Sequence, residues 1–496
     1  MHTPGLSRRT LIAGAASAVI GWNTATRAWA TTSTDAVADV VPVPALDGTL
    51  TTDATTLAAF SDDFGRLTHN TPRAVLRPRS TRDIAAIIDY ANKTGLTVAM
   101  NGQGGTDGEY ESHSNYGQAA VPGGIAIDAR SLDTIHAITP THAVVDPGVT
   151  WAQLTNAALA QGLTPPCLTD YLHLSIGGTI SVGGIGNAVQ KHGLQADTVS
   201  EIEIVTGTGR TLTASATRNR GLFEAALAGA GQVGIITRAT VALTKAPENA
   251  RVFLLFYDDI AAYCADQERI MADGRFDGQV GEILLPRSPA NPTPNARYKI
   301  EAVAHYNGTT PPDAAPLLAG LTPVPGDTQI SDTTYRDYTF RVDAFAANLK
   351  SLGYWSAPKP WLSMFLPADR AQEFARYALT KVTPADLGAG LLLFYPFPTG
   401  KITRPLAMTP DHPTTYLFDF LTFPAPGTDP TTALRRNRDL YDAAVRLGAK
   451  RYLVGAIPNM TTTDWQRHYG ARWTTLTTAK QRHDPRHTLT PGQHIL

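Results

Sequence analysis

Two glycine-rich segments allow the backbone to approach a ligand closely. The first, Gly102 to Gly105, follows a short apolar stretch, and the second runs from Gly177 to Gly186. Glycine has no side chain and tolerates dihedral angles that other residues avoid, so its amide groups can hydrogen-bond an anion. No Gly-Lys-Ser or Gly-Lys-Thr triplet follows either segment, which argues against a Walker loop. Together the two segments predict a site that wraps one extended diphosphate cofactor.

Side chains that could take part in catalysis or binding stand beside both segments. His113 begins a polar stretch, HSNYGQ, that ends at Gln118 after the first segment, and Asp170 precedes the second. A carboxylate within hydrogen-bond reach of a substrate's proton can accept that proton as a general base. The alternatives are that His113 is a surface histidine on a polar loop and that Asp170 caps a helix or stabilises a turn.

The elements around these residues predict an α+β lobe. Apolar residues recur at helical spacing from Asp83 to Asn92, while short β-branched runs alternate with glycine turns. A short helix is predicted over residues 222–227. The predicted strands, of which the third and fourth form a hairpin, are 96–100, 124–128, 199–205, 210–214 and 234–243.

A second lobe is predicted from about Ala246, where the sequence becomes less rich in glycine. A chain of 496 residues exceeds the size of one ordinary hydrophobic core, so two lobes are expected. A helix is predicted over Ile260 to Met271, and the proline-rich segments 286–294 and 311–316 are predicted to be surface loops. Before the first lobe, a Thr- and Ala-rich linker is predicted to reach about Thr56.

The composition and the N-terminal residues limit the classes of protein to which the chain could belong. Lys plus Arg number 42 against 43 Asp plus Glu, so the chain has no large basic field for nucleic acid. Its 13 histidines show no metal-ligand spacing. Arg8 and Arg9 precede an uncharged run, Leu11 to Trp22, that is shorter than the roughly 20 residues of a membrane span. Residues 28–30 show the small-x-small pattern of a signal-peptidase cleavage site. Residues 1–30 therefore resemble a twin-arginine export signal. The alternative is a frayed amphipathic N-terminus.

From about Arg77 onward the chain resembles the cytokinin dehydrogenases, FAD enzymes of the vanillyl-alcohol-oxidase type with a PCMH-type FAD-binding domain. The matching stretches occur in order along nearly all of the mature chain and include VAMNGQG, HSNYGQA, LTDYLHLSIGGTISVGGIG, KHG, EIEIVTGTGR, PWLSMF and DPRHTLTPGQHIL. The resemblance implies an α+β fold with a two-subdomain FAD-binding domain, 68–246, after a linker and N-terminal segment, 31–67. A substrate-binding α+β cap domain, 247–450, would follow, and a C-terminal segment, 451–496, would return to the FAD-binding domain and complete the FAD site.

The resemblance also implies which residues hold FAD. In the family a histidine forms a covalent bond to the flavin 8α-methyl group, and His113 matches it. The family's glycine pair runs directly into that histidine, whereas residues 105–112 (GTDGEYES) intervene here. Either this insertion loops out and His113 still bonds FAD, or Gly105 takes the histidine's place and FAD is bound noncovalently. Other FAD contacts implied are Gly102, Gln103, Gly104, Ser114, Gln118, Thr169, Asp170, Ser175, Ser181, Ile236, Tyr452, Thr490 and Gln493.

Asp170 matches the family's catalytic aspartate, whose role would be to accept the substrate's N–H proton. The family pairs this aspartate with a glutamate that follows a Phe-Asp step, here residues 276–277. That glutamate position falls nearer Val280 than Glu282, so Glu282 is only a weaker catalytic candidate. Lys359, which stands where relatives usually have histidine, and Trp361 are candidates for the substrate pocket. The alternative for Trp361 is a place in the core of the second lobe.

The activity that the resemblance implies is an FAD-dependent oxidation of the C–N bond of an N-allylic amine, such as an isoprenoid cytokinin, with oxygen or a quinone as electron acceptor. Because the glutamate position and Lys359 depart from the family pattern, oxidation of an alcohol or sugar is one alternative. A secreted flavoprotein without turnover is another. The protein is expected to be exported to an extracellular or periplasmic location, with a small-molecule substrate, no nucleic-acid partner and no membrane span in the mature chain.

Overall fold

The computed structural model describes residues 18–23, 28–32, 41–102 and 114–496. The chain divides into two units, Met1–Ala45 and Leu46–Leu496. In the first unit, strands β1 (Ala18–Asn23) and β2 (Ala28–Thr32) pair in antiparallel fashion. The arginine pair of the predicted export signal lies outside the described residues.

Short strands and helices alternate through the first half of the large unit, which is the FAD-binding lobe of the prediction. In chain order they are β3 (Thr49–Thr51), α1 (Ala54–Ala59), β4 (Ala74–Arg77), α2 (Thr81–Thr94), β5 (Val98–Asn101), β6 (Ile125–Asp128), β7 (Ile135–Ile138), β8 (His142–Val145), α3 (Trp151–Leu159), β9 (Leu163–Thr164), α4 (Ile176–Val182), α5 (Val189–His192), β10 (Val199–Thr206), β11 (Thr211–Ser215), α6 (Arg220–Ala226), β12 (Gly234–Ala242) and β13 (Thr244–Lys245). One sheet has the order β3-β4-β6-β5, with β4, β6 and β5 parallel, and an antiparallel sheet has the order β11-β10-β12-β8-β7.

Helix α2 shows how the sequence specifies these elements. Ile84, Ile88 and Ala91 recur at helical spacing and are fully buried, so the apolar stripe of the helix faces the core. Gly95 ends the helix at a φ of 70°, a left-handed conformation that favours glycine. The helix predicted over residues 83–92 is therefore confirmed, as is the predicted hairpin, formed by β10 and β11.

The predicted linker is wrong from Thr49 onward. Strand β3 pairs with β4 along the edge of the four-stranded sheet. Helix α1 then begins after Asp53, whose carboxylate accepts a hydrogen bond from the Thr56 N–H at 2.9 Å. A composition rich in Thr and Ala hid both elements, because a three-residue edge strand and a six-residue helix leave almost no periodic pattern.

The second lobe is built around one large sheet. Its elements are β14 (Asn249–Tyr257), α7 (Ile260–Asp273), β15 (Gly278–Leu284), β16 (Arg297–Tyr306), α8 (Ala314–Leu318), β17 (Gln329–Thr334), α9 (Tyr335–Thr339), α10 (Val342–Ser351), β18 (Leu362–Pro367), α11 (Ala368–Leu379), α12 (Pro384–Leu387), β19 (Leu391–Pro398), β20 (Thr414–Leu421), α13 (Thr431–Arg446) and β21 (Lys450–Gly455). The sheet is antiparallel and has the order β17-β14-β16-β15-β19-β20-β18-β21. Helix α7 confirms the helix predicted over 260–271, whereas α8 takes up the end of the predicted loop 311–316.

The two faces of the large sheet pack against different parts of the protein, because successive side chains of a strand point to opposite faces. On β19 and β20, Phe394 and Phe418 are fully buried in the core that the sheet forms with α7, α11 and α13. Their neighbours Leu393 and Leu417 belong to a cluster on the opposite face, which also contains Leu194 of the first lobe. This second face therefore covers the first lobe.

The C-terminal segment, with helices α14 (Thr462–Tyr469) and α15 (Trp473–His483), returns to the first lobe as predicted. Its last residues pair with β5: the Val98 N–H donates to the Thr488 carbonyl at 2.8 Å, and the Thr490 N–H donates to the Val98 carbonyl at 2.9 Å. Asp484, fully buried, accepts hydrogen bonds from the backbone of Thr488 and Leu489, at 2.9 Å each. Among the described residues, no helix is long and apolar enough to cross a bilayer.

Candidate active site

A cavity of about 650 Å³ lies between the two lobes. The first lobe contributes the end of β5, the segment after residue 113, the start of α4 and the strand β12. The second lobe contributes strands β15, β16, β19, β20 and β21 together with α10, and the C-terminal segment closes one side. Cofactor and substrate sites commonly have volumes of about 300 to 1,000 Å³, so the cavity has the size of a functional site.

Most of the residues predicted for the site meet in this cavity, although they come from distant parts of the chain. Gln103, Gly104, His113 and the insertion 105–112 lie outside the described residues, so their roles remain predictions. The predicted residues that line the cavity are Gly102, Ser114, Gln118, Thr169, Asp170, Ser175, Ser181, Ile236, Glu282, Trp361, Tyr452, Thr490 and Gln493.

Lys359 does not line the cavity, and its prediction as a pocket residue is wrong. Its side chain is fully buried, and its ammonium group donates to the carbonyls of Trp355 and Ala357 at 2.7 Å each. The same group lies 4.3 Å from the centroid of the Phe64 ring. Trp361, two residues on, does line the cavity, and its indole N–H donates to the Thr422 carbonyl at 3.0 Å.

The start of α4 fits a diphosphate cofactor. The N–H groups in the first turn of a helix have no partner within the helix and attract anions. In α4 the N–H groups of Ile176 and Gly177 donate to the carbonyls of Val149 and Pro147, at 2.8 and 2.9 Å, so a ligand would meet this turn at Gly178, which lines the cavity. Gly177 allows this turn to pack tightly, since a Cβ there would lie 2.6 Å from the Cβ of Pro147. At Gly178, by contrast, a Cβ would meet only the Ser175 hydroxyl within 4 Å, so this part of the turn is open to the cavity. On the cavity wall the side-chain amide N–H group of Gln493 is buried without a hydrogen-bond partner, as expected of a donor for a ligand oxygen.

Asp63 anchors the loop that follows His113. Its carboxylate accepts hydrogen bonds from the Gly117 N–H at 2.6 Å and from the Ser114 hydroxyl at 3.3 Å. Burial raises the pKa of Asp63 to about 6, an effect that the Gly117 N–H partly offsets. The side-chain oxygen of Gln118 accepts the N–H groups of the two residues after Ser114, at 2.8 and 2.7 Å. These bonds hold the loop against the cavity wall.

Asp170 is held in place by a cation from the second lobe. The Arg341 guanidinium donates to the Asp170 carboxylate at 2.6 Å and lies 2.9 Å from the carboxylate of Glu301 on β16. It also lies over the ring of Tyr338, whose hydroxyl donates to Glu301 at 3.1 Å. The hydroxyl of Tyr338 in turn accepts a hydrogen bond from Asn187 at 2.8 Å. A network that spans both lobes thus orients Asp170 at the cavity.

A second set of polar side chains forms one row across the large sheet. Glu282 pairs across the strands with Lys299 on one side and Leu393 on the other, and Asp419 pairs with Leu393 and Ser363. The Lys299 ammonium lies 2.5 Å from the Glu282 carboxylate, so Glu282 already has a charged partner. Val280, where the family glutamate was expected, also lines the cavity.

Arg341, Glu301, Lys299, Asp419 and Tyr395 were missed by sequence reasoning and all line the cavity. Arg341 is 171 residues from Asp170 in the chain, and no local motif marks it. Asp419 did carry a signal, as the one charged residue within the apolar strand YLFDFL. A lone carboxylate at that position predicts a functional group or a buried partner.

Comparison with known proteins agrees with this geometry. A family model described as an FAD binding domain matches residues 72–215, and one described as cytokinin dehydrogenase 1, FAD and cytokinin binding, matches residues 284–496. An uncharacterized oxidoreductase, ORF5 in the fasciation locus of Rhodococcoides fascians, is 34% identical over 91% of this chain and 99% of its own length. Cytokinin dehydrogenase 5 of Oryza sativa subsp. japonica is 34% identical over 90% of this chain and 91% of its own. Cytokinin dehydrogenase 2 of Arabidopsis thaliana is 32% identical, with coverages of 91% and 94%.

The fold, the cavity and the matching family models define an FAD-dependent oxidoreductase. The chain belongs to the cytokinin dehydrogenase family, since relatives of that name match it at more than 30% identity over nearly its whole length.

Replacing Gly178 by leucine is expected to expel FAD while leaving the fold intact. The new side chain would extend from the open turn into the cavity, where the cofactor must approach the backbone. Gly221→Leu is the matched control, because Gly221 also lies in a helix and a Cβ there meets nothing within 4 Å. The ratio of flavin to protein absorbance in the purified variants measures the effect. Equal flavin content in both variants would contradict this placement of the cofactor.

Proposed function

We propose that this enzyme oxidises the C–N bond of an N-allylic amine of the isoprenoid cytokinin type, with Asp170 as the base. The observation that carries the proposal is the Asp170 carboxylate on the cavity wall, oriented by Arg341 at 2.6 Å. The names of two plant relatives, both cytokinin dehydrogenases, supply the substrate class.

In this proposal each group of the chain has a separate task. Bound FAD supplies a two-electron acceptor for hydride. Asp170 accepts the proton of the substrate N–H while the hydride leaves the adjacent carbon, so that a C=N bond forms. Water then adds to this imine, which breaks down to an amine and an aldehyde. Arg341 keeps the Asp170 carboxylate in one orientation, because a guanidinium binds carboxylates in a fixed geometry.

Asp170→Asn should keep FAD bound and slow its reduction by isopentenyladenine by about 100-fold or more, as is usual when a positioned base is lost. Asparagine has nearly the same shape but cannot take up the proton. Anaerobic stopped-flow measurement of flavin bleaching gives the rate, and Asp343→Asn is the control, because this aspartate also faces a partner side chain, His173, outside the cavity lining.

Two results would decide against the proposal. An unaltered enzyme that isopentenyladenine does not reduce, but that an alcohol or sugar does, would favour the other oxidase chemistry. An Asp170→Asn variant that is reduced as fast as the unaltered enzyme would remove Asp170 from the role of base.

We also propose that FAD is bonded covalently to His113, on the family resemblance alone. Acid precipitation should then leave the protein yellow, and mass spectrometry should find a flavin adduct on the peptide that contains His113. His113→Ala should release FAD on precipitation. Free FAD in the supernatant of the unaltered protein would show that the insertion 105–112 has abolished the bond.

The twin-arginine pattern at residues 8–9 supports the further proposal that the protein is exported. Export would deliver the enzyme to the extracellular space or periplasm with its cofactor in place.

A further inference from the structure

Asp419 differs from every other carboxyl group that lines the cavity in the described part of the chain. Among the described residues, the Ser363 hydroxyl is the hydrogen-bond donor to its side chain, and no cation pairs with it. The other three carboxylates that described residues contribute to the cavity each have a cation within 3 Å: Lys299 beside Glu282, and Arg341 beside both Asp170 and Glu301.

The position of Asp419 in the sheet explains why it lacks such a partner. Lys299 lies in the same cross-strand row but three strands away, and neighbouring strands are about 4.8 Å apart, so the two side chains are separated by roughly 14 Å along the sheet. Leu393 stands between Asp419 and Glu282. Asp419 therefore faces the cavity beyond the reach of the Lys299 ammonium group.

The surroundings of Asp419 favour its neutral form. Burial and, to a smaller extent, the charge of Asp170 raise the pKa of Asp419, the Ser363 hydroxyl lowers it, and the net result is a pKa of about 7. The titratable groups that face it are Asp170 from the loop before α4, Tyr395 on β19 and Tyr452 on β21. Burial raises the pKa of both phenols, so they stay neutral. Below pH 7 Asp419 thus offers one O–H donor and one carbonyl acceptor.

We propose that Asp419, supported by Ser363, determines substrate specificity by hydrogen-bonding the ring of the substrate along an edge that presents an N–H donor beside a nitrogen acceptor. A purine is a heterocycle of this class. Trp361 and Phe423 line the same cavity and provide aromatic walls for a flat ring. The assignment rests on the proposed function, since it places the ring at Asp419 and the allylic nitrogen at Asp170.

Two substrates that differ only in the ring test this contact. Isopentenyladenine carries the ring nitrogens, and N-isopentenylaniline has the same allylic N–H on a ring without them. We expect the unaltered enzyme to prefer the purine in kcat/KM and Asp419→Leu to lose at least about tenfold of that preference, the size of one well-formed hydrogen bond to a buried group. Asp419→Asn, which keeps a donor and an acceptor, should retain most of the preference.

Binding of adenine alone is a second test, which does not depend on turnover. Its affinity can be measured through the change in flavin absorbance. Its affinity should fall as the pH rises through about 7, where Asp419 loses its proton. The affinity should not vary with pH in Asp419→Asn. In Ser363→Ala the midpoint of this fall in adenine affinity should move to higher pH, because the ionised Asp419 carboxylate loses its hydrogen-bond donor. A purely structural role for Asp419 would not produce this titration.

The inference is overturned if Asp419→Leu lowers kcat/KM equally for both substrates, or if adenine binds Asp419→Leu as tightly as the unaltered enzyme. Failure of isopentenyladenine to reduce the unaltered enzyme would overturn the proposed function instead. The adenine arm would then still decide whether Asp419 contacts the ring.

Discussion

The guanidinium of Arg341 joins the two lobes at the point where chemistry is expected. It contacts Asp170 of the FAD lobe at 2.6 Å and Glu301 of the large sheet at 2.9 Å, and it lies over the Tyr338 ring. An arginine cannot lose its proton in a protein, so this cation holds both carboxylates at any physiological pH. The orientation of Asp170, the proposed base, is thereby set by residues of the second lobe, and a shift of one lobe against the other would move its carboxylate.

The pleat of the large sheet determines which of its side chains face the cavity. Alternate residues of β19 and β20 enter the core beneath α7, α11 and α13, and the residues between them face the first lobe. A single row across five strands therefore aligns Lys299, Glu282, Leu393, Asp419 and Ser363, and the first four of these line the cavity. This row contains one ion pair, at 2.5 Å, and one carboxyl group whose hydrogen-bond donor is a serine hydroxyl, so the same wall offers two different polar contacts.

Sequence reasoning succeeded where the signal is local. The helix ending at Gly95 and the hairpin of β10 and β11 each depend on residues that are close in the chain, and both are present. It failed where the direction of a side chain decides whether a residue lines the cavity. Lys359 lies two residues from Trp361, yet backbone carbonyls enclose its ammonium group.

Contacts between residues that are far apart in the chain could not be predicted either, because local sequence patterns do not show how the two lobes pack. The bond between Arg341 and Asp170 joins residues 171 positions apart, and only the packing of the two lobes brings them together. Asp419, the lone carboxylate in YLFDFL, was recognisable in the sequence, because a charge among apolar residues of a strand costs free energy unless a partner compensates it.

The claim that Arg341 orients the base is tested most directly by comparing Arg341→Met with Arg336→Met, an exposed arginine of α9 that is 59% accessible in its side chain. Anaerobic reduction of FAD by isopentenyladenine is the measurement, with thermal unfolding and flavin content recorded for both variants. We predict that Arg341→Met binds FAD but is reduced about 100-fold more slowly, the penalty typical of a misplaced catalytic group, while Arg336→Met is unaffected. Equal reduction rates in the two variants would show that Asp170 does not depend on Arg341.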